Sequence, residues 1–256
     1  MKVTIITVTH NSALYLQECI NSVKNQTYHN IEHIVIDGKS ADDTIAIIKL
    51  FENHIAKWIS EKDNGMYHAI NKGMEMATGD IIGILNSDDI LASDTVIASI
   101  VKSFEDNKVD SLYGDLVYVD KVNTKKIIRY WKGLSYDRMR FNYGWMPAHP
   151  TFYFRRPLLK ELGGYETHYY TAADYEFMAR YLYRYRISAV YLPLLIVKMR
   201  VGGQSNRNVF NRFRANRRDY LAMKINSIPF PHIASILKPL IKLRQYYNSN
   251  NRKMID

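Results

Sequence analysis

The sequence predicts an α/β fold, a mainly parallel sheet flanked by helices with a basic helical C-terminal extension, and three observations carry that expectation. Short β-branched apolar runs alternate with segments of helical periodicity through the first part of the chain. Polar and acidic residues stand directly after those runs. The net positive charge is concentrated near the C-terminus.

Val3-Thr4-Ile5-Ile6-Thr7-Val8 reads as a buried strand, and Ala13 to Val23, apolar at Leu14, Leu16, Ile20 and Val23, as a helix entered through Asn11-Ser12. The unit recurs three times. Ile34-Val35-Ile36 precedes a helix near Asp42 to Phe51, Trp58-Ile59 precedes one from Met66 to Ala77, and Ile81 to Leu85 precedes one from Ser93 to Phe104. Four successive strand–helix units imply parallel strands with helices on the sheet faces. Beyond Asp110 the rhythm changes to short strand-like runs at Leu112-Tyr113, Val117-Tyr118-Val119 and Ile127 to Trp131, followed by an aromatic, Arg-rich stretch through Trp145. A strand at Thr151 to Phe154, a helix from about Asp174 to Tyr185 and a strand near Tyr191 to Val197 close the compact part. The expected division is a domain over residues 1–205 and a helical tail over 206–256, interrupted by Pro229, Pro231 and Pro239.

The chain has 256 residues, with 35 Lys and Arg against 25 Asp and Glu, a formal charge of +10. Residues 207–256 hold 11 of the basic side chains and only 2 of the acidic ones, so the rest is nearly neutral. A basic tail with interleaved aromatics is the footprint of a nucleic-acid-binding protein, the main rival reading. That rival leaves the acidic strand ends unexplained, and no nucleic-acid partner is expected. The single cysteine, Cys19, excludes an internal disulfide and a cysteine-rich zinc site. The opening residues are too short and too β-branched a run for a secretory signal, and the longest apolar stretch, Tyr191 to Val197, falls far below the roughly 20 residues of a membrane-spanning helix. A cytoplasmic protein is expected.

In open parallel sheets, ligands bind at the carboxyl ends of the strands. Here the strands run into Thr7-Val8-Thr9-His10-Asn11, Asp37-Gly38-Lys39-Ser40, Glu61-Lys62-Asp63-Asn64-Gly65 and Asn86-Ser87-Asp88-Asp89. Ser40, Asp42 and Asp43 read as a turn and helix cap. Asp37 ends a strand directly, placed either to close the turn or to accept from a ring N–H of a nucleobase. Asp88 and Asp89 would repel each other at the mouth of a core strand unless hydrogen-bond donors, a helix N-terminus or a cation compensate. A divalent ion shared between one carboxylate and substrate phosphates fits that need, with Mg²⁺ and Mn²⁺ equally suited. There is no P-loop, and no dinucleotide fingerprint follows the first strand. Nor is there a Gly-rich, basic phosphate loop of the kind a nucleotidyltransferase would need. Asp174 and Glu176 fit an ordinary helix start, and His149 an ordinary turn.

Taken together, Thr7-Val8-Thr9-His10-Asn11, Asp37-Gly38, Asp63-Asn64-Gly65 leading to Asn71-Lys72-Gly73, Gly79-Asp80 leading to Asn86-Ser87-Asp88-Asp89, His149-Pro150 and Asp174-Tyr175-Glu176 resemble the family 2 glycosyltransferases of the GT-A fold, particularly bacterial enzymes that assemble surface polysaccharides. The resemblance covers about residues 1 to 205. It implies an inverting, metal-dependent transfer of the hexosyltransferase type, from a UDP- or GDP-linked sugar to a saccharide or polyprenyl-linked acceptor. By likeness Thr7, Thr9, Asn11 and Asp37 would hold the nucleoside side of the donor, Asp63 and Asn71 would line the same pocket, and Asp88 would contact ribose or sugar. Asp89 would ligate Mn²⁺ or Mg²⁺, Asp174 would be the general base, and His149 would stand beside the donor sugar or acceptor. Lys39 departs from the usual Asp-Gly-Ser-Ser pattern and Asn86 from the commoner Asp-x-Asp form. The latter shifts the metal role to Asp89, with Asp88 as second candidate. The basic tail fits either a helical pair packed on the domain or an interfacial segment on anionic lipid at the cytoplasmic face of a membrane.

Overall fold

The computed structural model describes residues 1–202 and 209–238. β1 (Val3–Thr9) is buried along its whole length, and α1 (Leu16–Lys24), β2 (Ile31–Asp37), α2 (Thr44–Leu50), β3 (Lys57–Ser60), α3 (Met66–Met76) and β4 (Ile81–Ile84) follow as alternating strands and helices. β1 pairs in parallel with β2 and β4, and β2 with β3, so four strand ends share one edge. α1 begins three residues later than its periodicity predicts, because Asn11 takes a left-handed turn and residues 12–15 fold into the loop. Gly73 lets α3 lie directly on β1, since a Cβ there would collide with the Ile6 side chain.

The later half brings a mixed arrangement. β5 (Asp89–Leu91), which the sequence did not signal, runs antiparallel to β9 (Ala189–Arg200) and precedes α4 (Val96–Asn107). Leu112-Tyr113 and Val117-Tyr118-Val119 belong to one strand, β6 (Ser111–Val119), whose register with β9 slips around Asp115. β7 (Ile127–Trp131) pairs with β6, and β8 (Tyr153–Arg155) lies antiparallel between β4 and β6. Among the described residues these strands form one sheet in the order β3-β2-β1-β4-β8-β6-β9-β5, with β7 joined to β6. A short helix α5 (Pro157–Leu162) leads toward α6 (Ala173–Met178), which continues in wider π-type turns over Ala179–Arg184. Buried Arg180 fastens that segment: it bridges to Glu176 at 3.0 Å and donates to the carbonyls of Leu162 and Gly164.

Two large apolar layers flank the sheet. Ile6, Val8, Ile34, Ile36, α3 and α6 form one, and Val3, Ile5, α1, α4 and the inner face of β6 and β9 form the other. Part of the tail joins the first layer: α7 (Val209–Ile225) and a helical segment at 231–238 bury Ala222, Met223, Ile228 and Ala234. Asn226 is fully buried and donates to the carbonyl of Ala222. Gly144, at φ +80°, leaves room for the carbonyl of Ala234. The boundary expected at Asn206 lies outside the described residues, as does the interruption expected at Pro239.

At the edge opposite the four strand ends, Glu32 pins the N-terminus. Its carboxylate accepts from Thr4 Oγ1 (2.7 Å), the Thr78 backbone N–H (2.7 Å), Thr78 Oγ1 (2.6 Å) and Lys2 Nζ (3.0 Å). Burial alone would raise its pKa, but the bonds from Thr78, Thr4 and Lys2 outweigh it and hold the group down to about 2, against 4.5 ordinarily. The stabilisation is complete above the unfolded value and fades as pH falls toward 2. Glu32→Gln should therefore lower the unfolding free energy at pH 7 by roughly 1–3 kcal/mol. Urea titrations at pH 7, 5, 4 and 3 should show the gap to wild type narrowing; a gap independent of pH would show that packing, not charge, is lost.

Candidate active site

The four strand ends are stitched side to side. Ser87 Oγ donates to Ser12 Oγ at 2.9 Å, joining the segment after β4 to that after β1. Asn11 donates its backbone N–H to Ser40 Oγ (2.8 Å) and accepts the Ala41 N–H at its side-chain oxygen (2.8 Å), joining β1 to β2. Asp37 is fully buried and accepts from the Ser40 backbone N–H (3.0 Å), Ser40 Oγ (2.5 Å) and Ser60 Oγ (2.6 Å), joining β2 to β3. Both Asp37 oxygens are thus in use, and its present work is to shape the loops. Thr7 is fully buried beneath the edge, 3.0 Å from Nε2 of His33, a ring whose pKa burial pushes down to about 4.

Between these braces, polar atoms are left over. Thr9 Oγ1, Asp63 Oδ2, Asn86 Oδ1 and Asp89 Oδ1 are all sealed from solvent without a hydrogen-bond partner. Each belongs to a segment at the carboxyl end of β1, β3 or β4, and unpaired buried oxygens are costly. Asp63 uses only Oδ1, toward Lys72 Nζ (2.6 Å) and His68 Nδ1 (3.2 Å). Asp89 accepts the Asn86 amide at 2.9 Å on Oδ2 and has no exposed surface, while Asp88 beside it is half-buried. Burial, then the Asp88 charge, pushes the Asp89 carboxyl well above the ordinary carboxylate range, and burial raises Asp88 too.

Arg200, at the end of β9, is the cation among the described residues whose charge acts on this pair. It spends itself elsewhere, donating to the Asp88 carbonyl (2.7 Å) and the Lys121 carbonyl (3.1 Å) and pairing with Glu18. It fixes the backbone of the acidic turn while only partly offsetting its charge. Nothing in the sequence pairs Arg200 with Asp88; only the antiparallel meeting of β5 and β9 does so.

The second group of candidates reaches the same edge from the other half. Because β8 runs antiparallel to β4, the turn His149–Thr151 before it arrives at the carboxyl end of β4, where it packs against α6. Asp174 stands in the first turn of α6 and accepts the Tyr175 N–H at 2.7 Å. His149 Nε2 lies 2.5 Å from the Tyr165 hydroxyl. The Asn71 amide is engaged by the protein itself: it donates to the Tyr165 carbonyl and accepts the Tyr165 N–H, both at 2.8 Å. Tyr67 stacks near Tyr165 at 5.2 Å, and burial together with the Asp174 charge raises its phenol well above the ordinary value. Tyr67 and Tyr165 were visible in the sequence only as two of twenty tyrosines.

Asp88, Asp89 and Asn86 Oδ1 supply acidic and carbonyl oxygens at one turn, a donor set that suits a hard divalent ion completed by phosphates. Among the described residues no cluster of three or more His, Cys, Asp or Glu forms a cage for a metal by itself.

The sequence profile described as glycosyl transferase family 2 matches residues 4–163. The chain belongs to that family. It is 34% identical over 185 residues to the uncharacterized glycosyltransferase Rv1514c of Mycobacterium tuberculosis, covering 70% of this chain and 68% of that one. In fold it resembles S. aureus TarS, with a TM-score of 0.68 and 19% identity over 89% of this chain but only 39% of TarS; residues 1–349 of TarS are known with UDP and with UDP-GlcNAc. It also resembles the mannosyltransferase PcManGT of Pyrobaculum calidifontis in complex with GDP-Man and Mn2+, with a TM-score of 0.67 and 20% identity over 99% of this chain and 76% of that one. Both likenesses bear out the GT-A α/β expectation.

A carboxylate that binds protons more tightly folded than unfolded destabilises the fold once the pH exceeds its unfolded value of about 4. Asp89→Asn should therefore raise the melting midpoint of the ligand-free protein at pH 8 by about 2–4 °C, the shift that 1 kcal/mol gives a chain of this size. The gain should vanish toward pH 4 in a thermal-shift series. An unchanged or lower midpoint at pH 8 would mean that the buried charge is already compensated.

Proposed function

We propose that the chain transfers a sugar from a nucleoside diphosphate sugar, UDP- or GDP-linked, to a hydroxyl of a saccharide or polyprenyl-linked acceptor with inversion at the anomeric carbon. The observation that carries this reading is the row of unpartnered buried oxygens along the stitched edge, Thr9, Asp63, Asn86 and Asp89. Oxygens of this kind await donors, and a nucleoside diphosphate sugar with its divalent ion brings hydroxyls, ring N–H groups and positive charge together. Thr9 and Asp63 would face the nucleoside half. Asp37, Asn11, Thr7 and Asn71 would shape the pocket from behind, since their hydrogen bonds hold the loops.

Asp88 and Asp89 would hold Mn²⁺ or Mg²⁺ between them and the diphosphate. Asp89 is the sealed member, while Asp88 is the one that a bound donor meets without displacing a neighbour. The ion supplies Lewis-acid stabilisation of the departing diphosphate. In a single displacement, Asp174 removes the proton of the acceptor hydroxyl, whose oxygen attacks the anomeric carbon from the face opposite the nucleotide. No covalent intermediate is needed. General-base help of this type contributes roughly 10²–10⁴ in rate. His149, on the same side as Asp174, would lie beside the sugar.

Asp174→Asn should cut transfer by about that factor and leave calorimetric affinity for donor plus Mn²⁺ unchanged, whereas Asp88→Ala and Asp89→Ala should weaken metal-dependent donor binding at least tenfold. Transfer by the Asp174 variant at the wild-type rate would remove Asp174 from the role of base. A panel of nucleotide sugars with either metal would identify the donor.

The described part of the tail supports work at the cytoplasmic face of a membrane. Leu221, Ile225, Phe230, Ile233 and Ile236 are exposed, Phe230 by 71%, and Arg217 and Lys224 stand exposed among them. No described helix is long and apolar enough to cross a bilayer. An apolar face with a basic rim suits the surface of anionic lipid, where each basic residue adds about 1 kcal/mol. The full chain should sediment with vesicles containing phosphatidylglycerol and not with pure phosphatidylcholine, and Phe230→Ser combined with Ile233→Ser should release most of it. Full retention of that double variant would assign binding to another surface.

A further inference from the structure

The contact between His149 and Tyr165 has a proton count that only one arrangement satisfies. Tyr165 is buried, and burial reinforced by the charges of Tyr67 and Asp174 raises its phenol well above the ordinary value, so the hydroxyl keeps its proton. The His149 ring is the hydrogen-bond partner that its oxygen has among the described residues. If the ring donated from Nε2, the phenol proton would be left in the interior with no acceptor, a cost of about 1–3 kcal/mol. If the phenol donates to Nε2, both groups are satisfied. The ring then carries its own proton on Nδ1, an atom without a partner among the described residues and not sealed from solvent. Burial also lowers the His149 pKa, with Asp174 opposing, which favours the neutral ring that this arrangement needs.

The pair is held from three sides. Asn71 on α3 grips the Tyr165 backbone with two hydrogen bonds of 2.8 Å, Phe177 on α6 stacks on the Tyr165 ring at 4.3 Å, and Tyr67 lies at 5.2 Å. Phe177 shares a helix with Asp174, three residues away. One phenol therefore links the turn bearing His149 to the helix that bears the general base. Among the described residues the Tyr165 hydroxyl makes no other hydrogen bond, so stacking alone would be served equally well by Phe at this position.

We propose that Tyr165 is a positioning residue: its hydroxyl fixes His149 in the Nδ1–H tautomer, so that His149 offers a hydrogen-bond donor to an oxygen of the transferred sugar beside Asp174. This rests on the sugar-transfer reading of the site. Asn71 acts one step further back, holding Tyr165 in register with His149.

Tyr165→Phe keeps the ring and its stacking and removes only the donor. Two-bond ¹H–¹⁵N spectra of histidine-labelled wild type, with His149 assigned by loss of its signals in His149→Gln, should show Nδ1 protonated and Nε2 as the bare acceptor. In Tyr165→Phe the ring should move toward the Nε2–H tautomer that an unconstrained imidazole prefers. The same variant should bind UDP or GDP with Mn²⁺ at wild-type affinity, because in this reading His149 stands beside the sugar and not the nucleotide. Its turnover of the nucleotide sugar should fall about tenfold, the scale of one hydrogen bond. An Nε2–H ring in the wild type, or a tautomer unmoved in the variant, overturns the proposal whatever the rates are. A tautomer that moves while turnover stays at wild-type level overturns the positioning role. A wild type that turns over no nucleotide sugar overturns the transfer reading and the sugar contact with it, and the spectra then still decide whether Tyr165 sets the ring.

Discussion

Two adjacent carboxylates held where water only partly reaches them cost a folded chain free energy, and the edge around Asp88 and Asp89 is arranged to bear that cost without removing it. Arg200 is turned to the backbone carbonyl of Asp88 and to Glu18, and the Asn86 amide serves one oxygen of Asp89 while the other stays without a partner. Had Arg200 paired with either carboxylate directly, the turn would be more stable and less able to bind a cation. The surrounding loops make up the difference through side-chain bonds across strand ends, Ser87 to Ser12, Asn11 to Ala41 and Asp37 to Ser60. Rigid walls around an undersatisfied centre are what a preorganised electrostatic site requires.

The second half of the molecule meets that edge because one strand reverses. With β8 antiparallel to β4, the residues before it come to the carboxyl ends of the parallel strands, and α6 follows close behind. The two halves are then braced at Asn71, whose single amide crosses from α3 to the loop at Tyr165. A change at Asn71 would loosen the relation between the halves while touching neither reacting group. Residues of this kind look like ligands in a motif and act as braces in the fold.

Much of this was legible in the sequence, for definite reasons. The four strand–helix units show because their strands are buried on both faces and so read as continuous apolar runs, as in β1. The acidic strand ends show because carboxylates at the mouth of a core strand are unexpected. What escaped was what depends on distant pairing. β5 is three residues long and carries Asp89 itself, so nothing local separates it from a loop. β6 reads as two strands because Gly114 and Asp115 interrupt its apolar pattern where the register with β9 slips. Thr7 and Asn71 follow the motif faithfully, yet their bonds to His33 and Tyr165 come from segments far away in the chain. The role of Arg200 is tertiary from the outset.

The tail shows how charge and packing can be separate properties of one segment. Its +9 excess suggests an appendage, but Ala222, Met223, Ile228 and Ala234 lie in the same apolar layer as α3 and α6. Lys238 is itself drawn in, bonded to Asp219 at 2.6 Å and lying 4.0 Å over the Tyr175 ring, one residue from Asp174. The same segment packs against α6 while Phe230, Ile233 and Ile236 stay exposed. Anything that docks on those exposed side chains is therefore tied, through the buried ones of the same segment, to α6.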